Sequence, residues 1–165
     1  MEIENKLKEM GLELPVSPTP AAHRAAAVRT GNLVFVGGHG ARMPDGTLLH
    51  PGKLGRDVTI EQGQAAAQRT MLNCLAGLKS EIGDLDKVTR IVKLLCMVNS
   101  APGFGGESQV ANGATELLGN LYGERGRHAR SAVGLEKGEG PNSTCIEIEM
   151  IVEVRIKGGI LENDM

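Results

Sequence analysis

The stretch 145–156 constrains the fold more strongly than any other part of the chain. One face of its alternating pattern is apolar and consists of Ile146, Ile148, Met150, Val152, Val154 and Ile156. The other face is largely polar and consists of Cys145, Glu147, Glu149, Ile151, Glu153 and Arg155. Alternation with a period of two residues predicts a β-strand that buries one face. We therefore expect a sheet with one covered side.

A shorter strand is predicted over residues 128–135, just upstream of this one. The segment between them, residues 136–142, is rich in glycine and contains a proline, which favours a loop. Together these elements predict a β-hairpin over residues 125–156. If the loop is centred, Arg130 lies opposite Glu147, and the two side chains can form an ion pair between the strands. The plain alternative is that the charged face is simply solvated.

The remaining elements follow from turns, caps and periodicity. They are strands at 25–30 and 33–37, an irregular short strand at 48–54, a helix from 59 to 82, a strand at 87–99 and a helix at 108–122. Thr59 and Gln62 fit a capping box at the start of the first of these helices. Apolar residues on both faces of 87–99 indicate a central strand or one that meets a partner subunit. This order predicts an α+β fold with a mostly antiparallel sheet and two helices packed on one face.

The first 19 residues are predicted to be an appendage of a single domain that spans residues 1–165. Residues 2–10 place three apolar side chains on one stripe of a short helix, and three prolines follow in an extended connector. We expect the short helix to be peripheral and the polar tail, 158–165, to be frayed.

Composition excludes several classes of function. The chain has a formal net charge of −2, two Phe, one Tyr and no Trp, which makes nucleic acid an unexpected partner. The three cysteines are far apart and show no metal-binding spacing, so we expect no metal site and a reducing, cytoplasmic setting. No apolar run is long enough for a membrane span, so we expect no membrane partner.

Four segments carry a resemblance to a known family. They are His-Ala-Arg-Ser-Ala-Val-Gly at 128–134, Ile-Glu-Ile-Glu at 146–149, Arg-Thr-Gly-Asn-Leu-Val-Phe-Val-Gly-Gly at 29–38 and Asn-Ser-Ala-Pro-Gly-Phe at 99–104. The chain resembles the Rid/YjgF family, also called endoribonuclease L-PSP, in a longer branch with an N-terminal helix. The resemblance implies a chorismate-mutase-like α+β fold and a homotrimer with sites at the subunit interfaces. It also implies hydrolysis of reactive enamines and imines to ammonia and a 2-oxo acid.

The resemblance also names candidate site residues. Arg130 resembles the family's carboxylate-binding arginine and Glu147 its water-positioning glutamate, and these two are the catalytic candidates. The substrate-binding candidates are Arg24, Gly37, His39, Asn112 and Ala132. Active deaminases of the family have Tyr, Ser and Gln at the positions of Arg24, Gly37 and His39, and often Cys at that of Ala132. Asn112 also fits the simpler description of a surface polar residue, since it lies off the apolar stripe of its helix.

These residues leave three functions open. The first is an imine or enamine deaminase, or a related hydrolase, acting on a small carboxylate-bearing molecule without a cofactor. The second is a non-catalytic trimer that binds such a metabolite through Arg130. The third is an endoribonuclease, which the acidic composition disfavours. The added positive charge at Arg24 and His39 favours an anionic ligand with a second acidic group.

Overall fold

The computed structural model describes residues 1–156. Within this range the chain forms three helices, α1 (Glu2–Glu9), α2 (Ile60–Ile82) and α3 (Glu107–Tyr122). The same residues form five strands, β1 (Ala27–Thr30), β2 (Leu33–Gly40), β3 (Val88–Asn99), β4 (Ala129–Leu135) and β5 (Ile146–Val154). Short 3-10 turns at Leu85–Lys87 and Gly123–Gly126 lead into β3 and β4. The predicted tail, 158–165, lies outside the described residues.

The strands form one mixed sheet in the order β1-β2-β5-β3-β4. β5 lies between β2 and β3 and is antiparallel to both, whereas β4 runs parallel to β3. The alternation predicted for β5 is confirmed, because all its even-numbered residues from 146 to 154 are buried. Ile156 lies beyond the strand and is 72% exposed. Helices α2 and α3 pack on one face of the sheet, which confirms the predicted α+β class.

The predicted hairpin over 125–156 is wrong. β4 pairs with β3, where Arg130 is in register with Leu94. β5 pairs with the opposite edge of β3, where Glu147 is in register with Met97. The physical reason is helix α3, which connects β3 to β4. A crossover helix returns the chain to the end of the sheet where it started, so the next strand runs parallel to the first.

Helix α2 begins and ends where the sequence predicts. The hydroxyl of Thr59 accepts a hydrogen bond from the backbone of Gln62, and the Gln62 side chain accepts one from the backbone of Thr59, at 3.1 and 3.0 Å. This reciprocal capping box satisfies two amides that the first helical turn leaves free. Gly83 ends the helix with φ of 85°, a conformation that favours glycine.

Two expectations about flanking segments are wrong. Helix α1 is not peripheral, because Ile3 and Leu7 are 0% and 1% exposed and belong to the main core. The spacing of apolar residues predicts the helix, but it does not show whether the apolar stripe packs against the core. Residues 48–54 form no strand; Leu54 makes only isolated bridges to Val58 and Ser100. The segment is too irregular to extend the sheet.

The face of the sheet away from the helices is partly apolar, as predicted. Its exposed or half-buried apolar side chains are Val28, Phe35, Leu95, Met97, Val133 and Ile151. Part of this face forms a shallow depression of about 410 Å³. Within residues 1–156, no helix combines the length and apolar character needed to cross a bilayer.

Candidate functional site

Arg130 lies on the edge strand β4, with its side chain on the helix-covered side of the sheet. Its Nη1 donates to Asn112 Oδ1 at 2.8 Å and to Thr115 Oγ1 at 3.0 Å. Its Nη2 donates to the carbonyl of Ser108 at 3.3 Å. All three partners belong to α3, so the helix holds the guanidinium from one side. Each partner is a neutral acceptor, and the charge of Arg130 is therefore not neutralised by them.

A short hydrogen-bond chain fixes this arrangement. His128 Nδ1 lies 2.7 Å from the carbonyl of Gly126, which can only accept, so Nδ1 carries the proton. Nε2 is then an acceptor, and it lies 3.0 Å from the hydroxyl of Thr115. Thr115 therefore donates to His128 while it accepts from Arg130. Burial, followed by the charge of Arg130, lowers the pKa of His128, which favours this neutral tautomer.

No carboxylate within residues 1–156 forms an ion pair with Arg130 at 4.0 Å or less. Its Nε and one hydrogen of Nη2 also have no hydrogen-bond partner among these residues. A half-buried guanidinium held only by neutral acceptors has the charge and the free donors to receive an external anion. Its planar fork matches the two oxygens of a carboxylate.

Glu147 lies on the opposite face of the sheet from Arg130. Its carboxylate is 3.4 Å from Lys137 Nζ, and its side chain is 33% exposed. A Cβ added at Gly38 would lie 3.0 Å from this carboxyl group, so glycine leaves the room that Glu147 occupies. The predicted ion pair between Arg130 and Glu147 is therefore wrong within one protomer, because β3 separates their strands and their side chains face opposite ways.

Arg24 and His39 form a third group at the end of β2. Both line a cavity of about 520 Å³ between β2, α2 and the connector that follows α1. His39 Nδ1 donates to the carbonyl of Gly37 at 2.7 Å. A register shift between Val36 and His39 turns this part of β2 out of regular pairing. Gly37 itself lies at the rim of the depression on the uncovered face.

Ala132 and Asn112 belong to the Arg130 group. Ala132 is in register with Cys96 and is partly buried against the core two residues after Arg130. Asn112 is not merely a surface polar residue, since its side chain orients the guanidinium. The structure thus joins Arg130, Asn112 and Ala132, and it places Glu147 and the Arg24–His39 pair elsewhere in the protomer.

Sequence reasoning missed Thr115 and Gly38 and assigned no role to His128. Thr115 lies three residues after Asn112 on the same helix, so both can reach one side chain on a neighbouring strand. That spacing was the available signal for Thr115. Gly38 gave no signal of its own, because its partner Glu147 is more than a hundred residues away in sequence.

The cysteines supply no nucleophile. Burial raises the pKa of Cys96 to about 11, although the charge of Arg130 acts in the opposite direction. Burial also raises the pKa of Cys145 to about 12 and that of Cys74 still further. All three thiols are free and stay protonated near neutral pH. In residues 1–156, no three His, Cys, Asp or Glu side chains cluster in a way that could hold a metal ion.

The fold and its open-faced sheet define a chorismate-mutase-like α+β protein. A family model described as "YjgF/chorismate mutase-like, putative endoribonuclease" matches residues 4–150. The chain belongs to this family, as its sequence motifs predict.

Relatives and solved structures agree with this assignment. Protein TCP17 of Trypanosoma cruzi is 38% identical over 149 residues, which cover 90% of this chain and 91% of the relative. The crystal structure of Atu1372 from Agrobacterium tumefaciens, a protein of unknown function, has a TM-score of 0.84 and 40% identity, with 93% of this chain and 92% of that one covered. The crystal structure of "a putative endoribonuclease" from Shewanella oneidensis has a TM-score of 0.85 and 27% identity, with 93% and 100% covered.

Proposed function

We propose that this protein is a Rid-like hydrolase that converts 2-imino or enamine acids into 2-oxo acids and ammonia. The observation that carries the proposal is Arg130, a half-buried guanidinium oriented by three neutral acceptors and without a carboxylate partner in residues 1–156. A substrate carboxylate would supply the missing negative charge. The resemblance to the family supports this proposal, because it implies a carboxylate-binding arginine at this position.

The reaction needs a positioned substrate and a positioned water. Arg130 holds the carboxylate beside the C=N carbon, which fixes the reacting carbon relative to the water. The water adds to that carbon while a proton passes to nitrogen, and a carbinolamine forms. The hydroxyl proton of this intermediate then passes to nitrogen as the C–N bond breaks and the C=O bond forms, which releases ammonia and leaves the 2-oxo acid. Glu147 is the group proposed to orient and deprotonate the water.

Because Arg130 and Glu147 face opposite ways in one protomer, the proposed site is shared between subunits. Each protomer would contribute Arg130 on the β4 edge to one site and Glu147, with the glycines of β2, to another. The uncovered apolar face of the sheet supports a homo-oligomer, since burial against a second copy removes it from water. The family resemblance implies three copies. Sedimentation that finds a stable monomer at micromolar concentration would contradict the shared site.

Two other functions remain as alternatives. A non-catalytic trimer would bind a carboxylate at Arg130 but release no ammonia. An endoribonuclease is suggested by the names of the family and of similar structures such as that from Shewanella oneidensis, and the formal net charge of −2 disfavours it. The three buried, free cysteines support a reducing compartment, and we place the protein in the cytoplasm.

The test is ammonia release from 2-imino acids generated in the assay. The wild type should accelerate release over the spontaneous rate, and Arg130→Ala should lose this activity while its melting temperature stays near that of the wild type. Glu147→Gln keeps the size and polarity of the side chain, so turnover should fall more than the affinity for the product. Carboxylate binding without faster ammonia release would favour the non-catalytic trimer, and salt-sensitive RNA cleavage would favour the endoribonuclease.

A further inference from the structure

We propose that Lys137 is a positioning residue for the hydrolysis, because it holds the carboxylate of Glu147 in the orientation that the reacting water requires. Lys137 lies in the loop between β4 and β5, and its Nζ is 3.4 Å from Oε1 of Glu147. Within residues 1–156 it is the only cation that forms an ion pair with this carboxylate at 4.0 Å or less. The inference rests on the proposed function, since it adds Lys137 to the half of the shared site that holds Glu147.

The two carboxylate oxygens of Glu147 face different neighbours. Oε1 faces the ammonium of Lys137, whereas Oε2 lies beside the backbone of Gly38, where an added Cβ would be 3.0 Å from it. A glutamate side chain on an uncovered sheet face has several staggered conformations open to it. The attraction between the ammonium and Oε1 favours one of these conformations. Oε2 is then directed to the glycine side of the site as the oxygen that meets the water.

The backbone around Lys137 is bound to a buried side chain. The amide of Lys137 donates to Asn99 Oδ1 at 3.2 Å, and Asn99 Nδ2 donates to the carbonyl of Gly138 at 3.1 Å. Asn99 is 0% exposed and is the last residue of β3, so the sheet fixes its position. Lys137 is therefore held through the backbone on both sides of its own Cα, unlike a lysine on a freely moving surface loop.

Glu136 provides a second attachment for the loop. Its Oε1 accepts from Lys53 Nζ at 2.6 Å and from the amide of Gly138 at 2.9 Å. The ammonium of Lys53 also donates to Asn99 Oδ1 at 3.0 Å, so this buried lysine joins the two attachments. Buried polar groups are unfavourable unless they have partners. The network supplies these partners and sets the position of Lys137 relative to Glu147.

The ion pair itself should contribute little to stability. The side chains of Lys137 and Glu147 are 23% and 33% exposed, so water screens their attraction. An orienting role predicts a loss of turnover instead, because misplacing a reacting group by about 1 Å can lower a rate by about a hundredfold. The effects on turnover and on stability therefore separate this role from a purely structural one.

A double-mutant cycle in the ammonia-release assay tests the role, with the wild type, Lys137→Met, Glu147→Gln and the variant that carries both changes. Lys137→Met should lower kcat by about tenfold to a hundredfold, with the melting temperature near that of the wild type. Its affinity for 2-oxobutanoate, measured by calorimetry, should change by less than about threefold. In the Glu147→Gln background, Lys137→Met should change kcat by less than about twofold, because Lys137 acts only through the carboxylate. Lys137→Arg keeps the charge and should restore part of the turnover.

Lys8→Met is the matched control, since it removes the same charge from an exposed position on α1 and should leave kcat unchanged. A wild type that releases no ammonia would refute the proposed function, and the role of Lys137 with it. A Lys137→Met variant as fast as an active wild type would refute the role of Lys137 alone. Equal losses of kcat in the wild-type and Glu147→Gln backgrounds would also overturn it. So would a melting temperature of Lys137→Met well below that of the wild type, because the ion pair would then be structural.

Discussion

Arg130 Nη1 lies 2.8 Å from the side-chain oxygen of Asn112, and this contact joins the edge strand β4 to helix α3 at the candidate site. Thr115 accepts from the same nitrogen at 3.0 Å, so both Nη1 hydrogens are used within the protein. Within residues 1–156, Nε and one Nη2 hydrogen have no partner and are open to a ligand. The helix thus determines which part of the guanidinium an incoming carboxylate meets.

The pKa of His128 should report this geometry directly. Burial and the charge of Arg130 lower it below the usual value of 6.5. Such a group stabilises the native state above pH 6.5, and this contribution is lost as the pH falls from 6.5 through the lowered value. In an NMR titration, Arg130→Gln should raise the pKa of His128 without restoring it fully, since burial remains. Arg127→Gln, a change at an exposed neighbour, should leave it nearly unchanged; equal shifts in both variants would contradict the network.

Gly113 should tolerate no side chain. A Cβ at this position would overlap the backbone carbonyl of Gln64, where α3 crosses α2. Gly113→Ala should therefore destabilise the protein in urea unfolding, although alanine favours a helix. Gly119 lies on the same helix with open space around it, and Gly119→Ala should stabilise by about 0.5–1 kcal/mol. A stabilising Gly113→Ala would show that the helices can separate at no cost.

Lys53 should anchor the loop that carries Lys137, which is the ion-pair partner of Glu147. It is 2% exposed, and its Nζ donates to Asn99 Oδ1 at 3.0 Å and to Glu136 Oε1 at 2.6 Å. Lys53→Met should lower the free energy of unfolding by about 1–3 kcal/mol. Glu136→Gln keeps an acceptor and should cost less. A more stable Lys53→Met variant would mean that desolvation of the ammonium exceeds the gain from its partners.

The docking of α1 should depend on Asp86 and on pH. Burial alone would raise the pKa of Asp86, but hydrogen bonds from the backbone of Ile3, the N-terminal amine and the backbone of Glu2 together lower it from 3.8 to about 2. A lowered carboxyl pKa stabilises the native state above pH 3.8, and this contribution is lost as the pH falls toward 2. Asp86→Ala should speed amide hydrogen exchange in α1 at pH 7. The difference in melting temperature from the wild type should shrink below pH 3.8; a constant difference would contradict this role.

Local patterns predicted the elements well but not all of their partners. The alternation of β5 and the capping box of α2 are properties of neighbouring residues, so the sequence alone revealed them. The pairing of β4 is different, because two adjacent strands with a loop between them look like a hairpin. Helix α3 instead carries the chain back along the sheet, so that β4 pairs with β3 in parallel.

The candidate site shows the same division. Arg130 was predicted because its motif is local and specific. The role of Asn112 in orienting it depends on a contact between residues 18 positions apart, and that of Gly38 on a contact with β5. Such relationships follow from packing, which no short window of sequence contains.

The proposed function requires that Arg130 binds a ligand carboxylate, and the affinity for a 2-oxo acid product is the decisive measurement. Calorimetry with 2-oxobutanoate should detect binding to the assembled wild type. It should find a loss of at least about a hundredfold for Arg130→Ala, because two charge-assisted hydrogen bonds disappear. Arg130→Lys should bind with intermediate affinity, since an ammonium cannot form the two parallel bonds. Equal affinities for folded Arg130→Ala and the wild type would show that Arg130 does not bind the carboxylate.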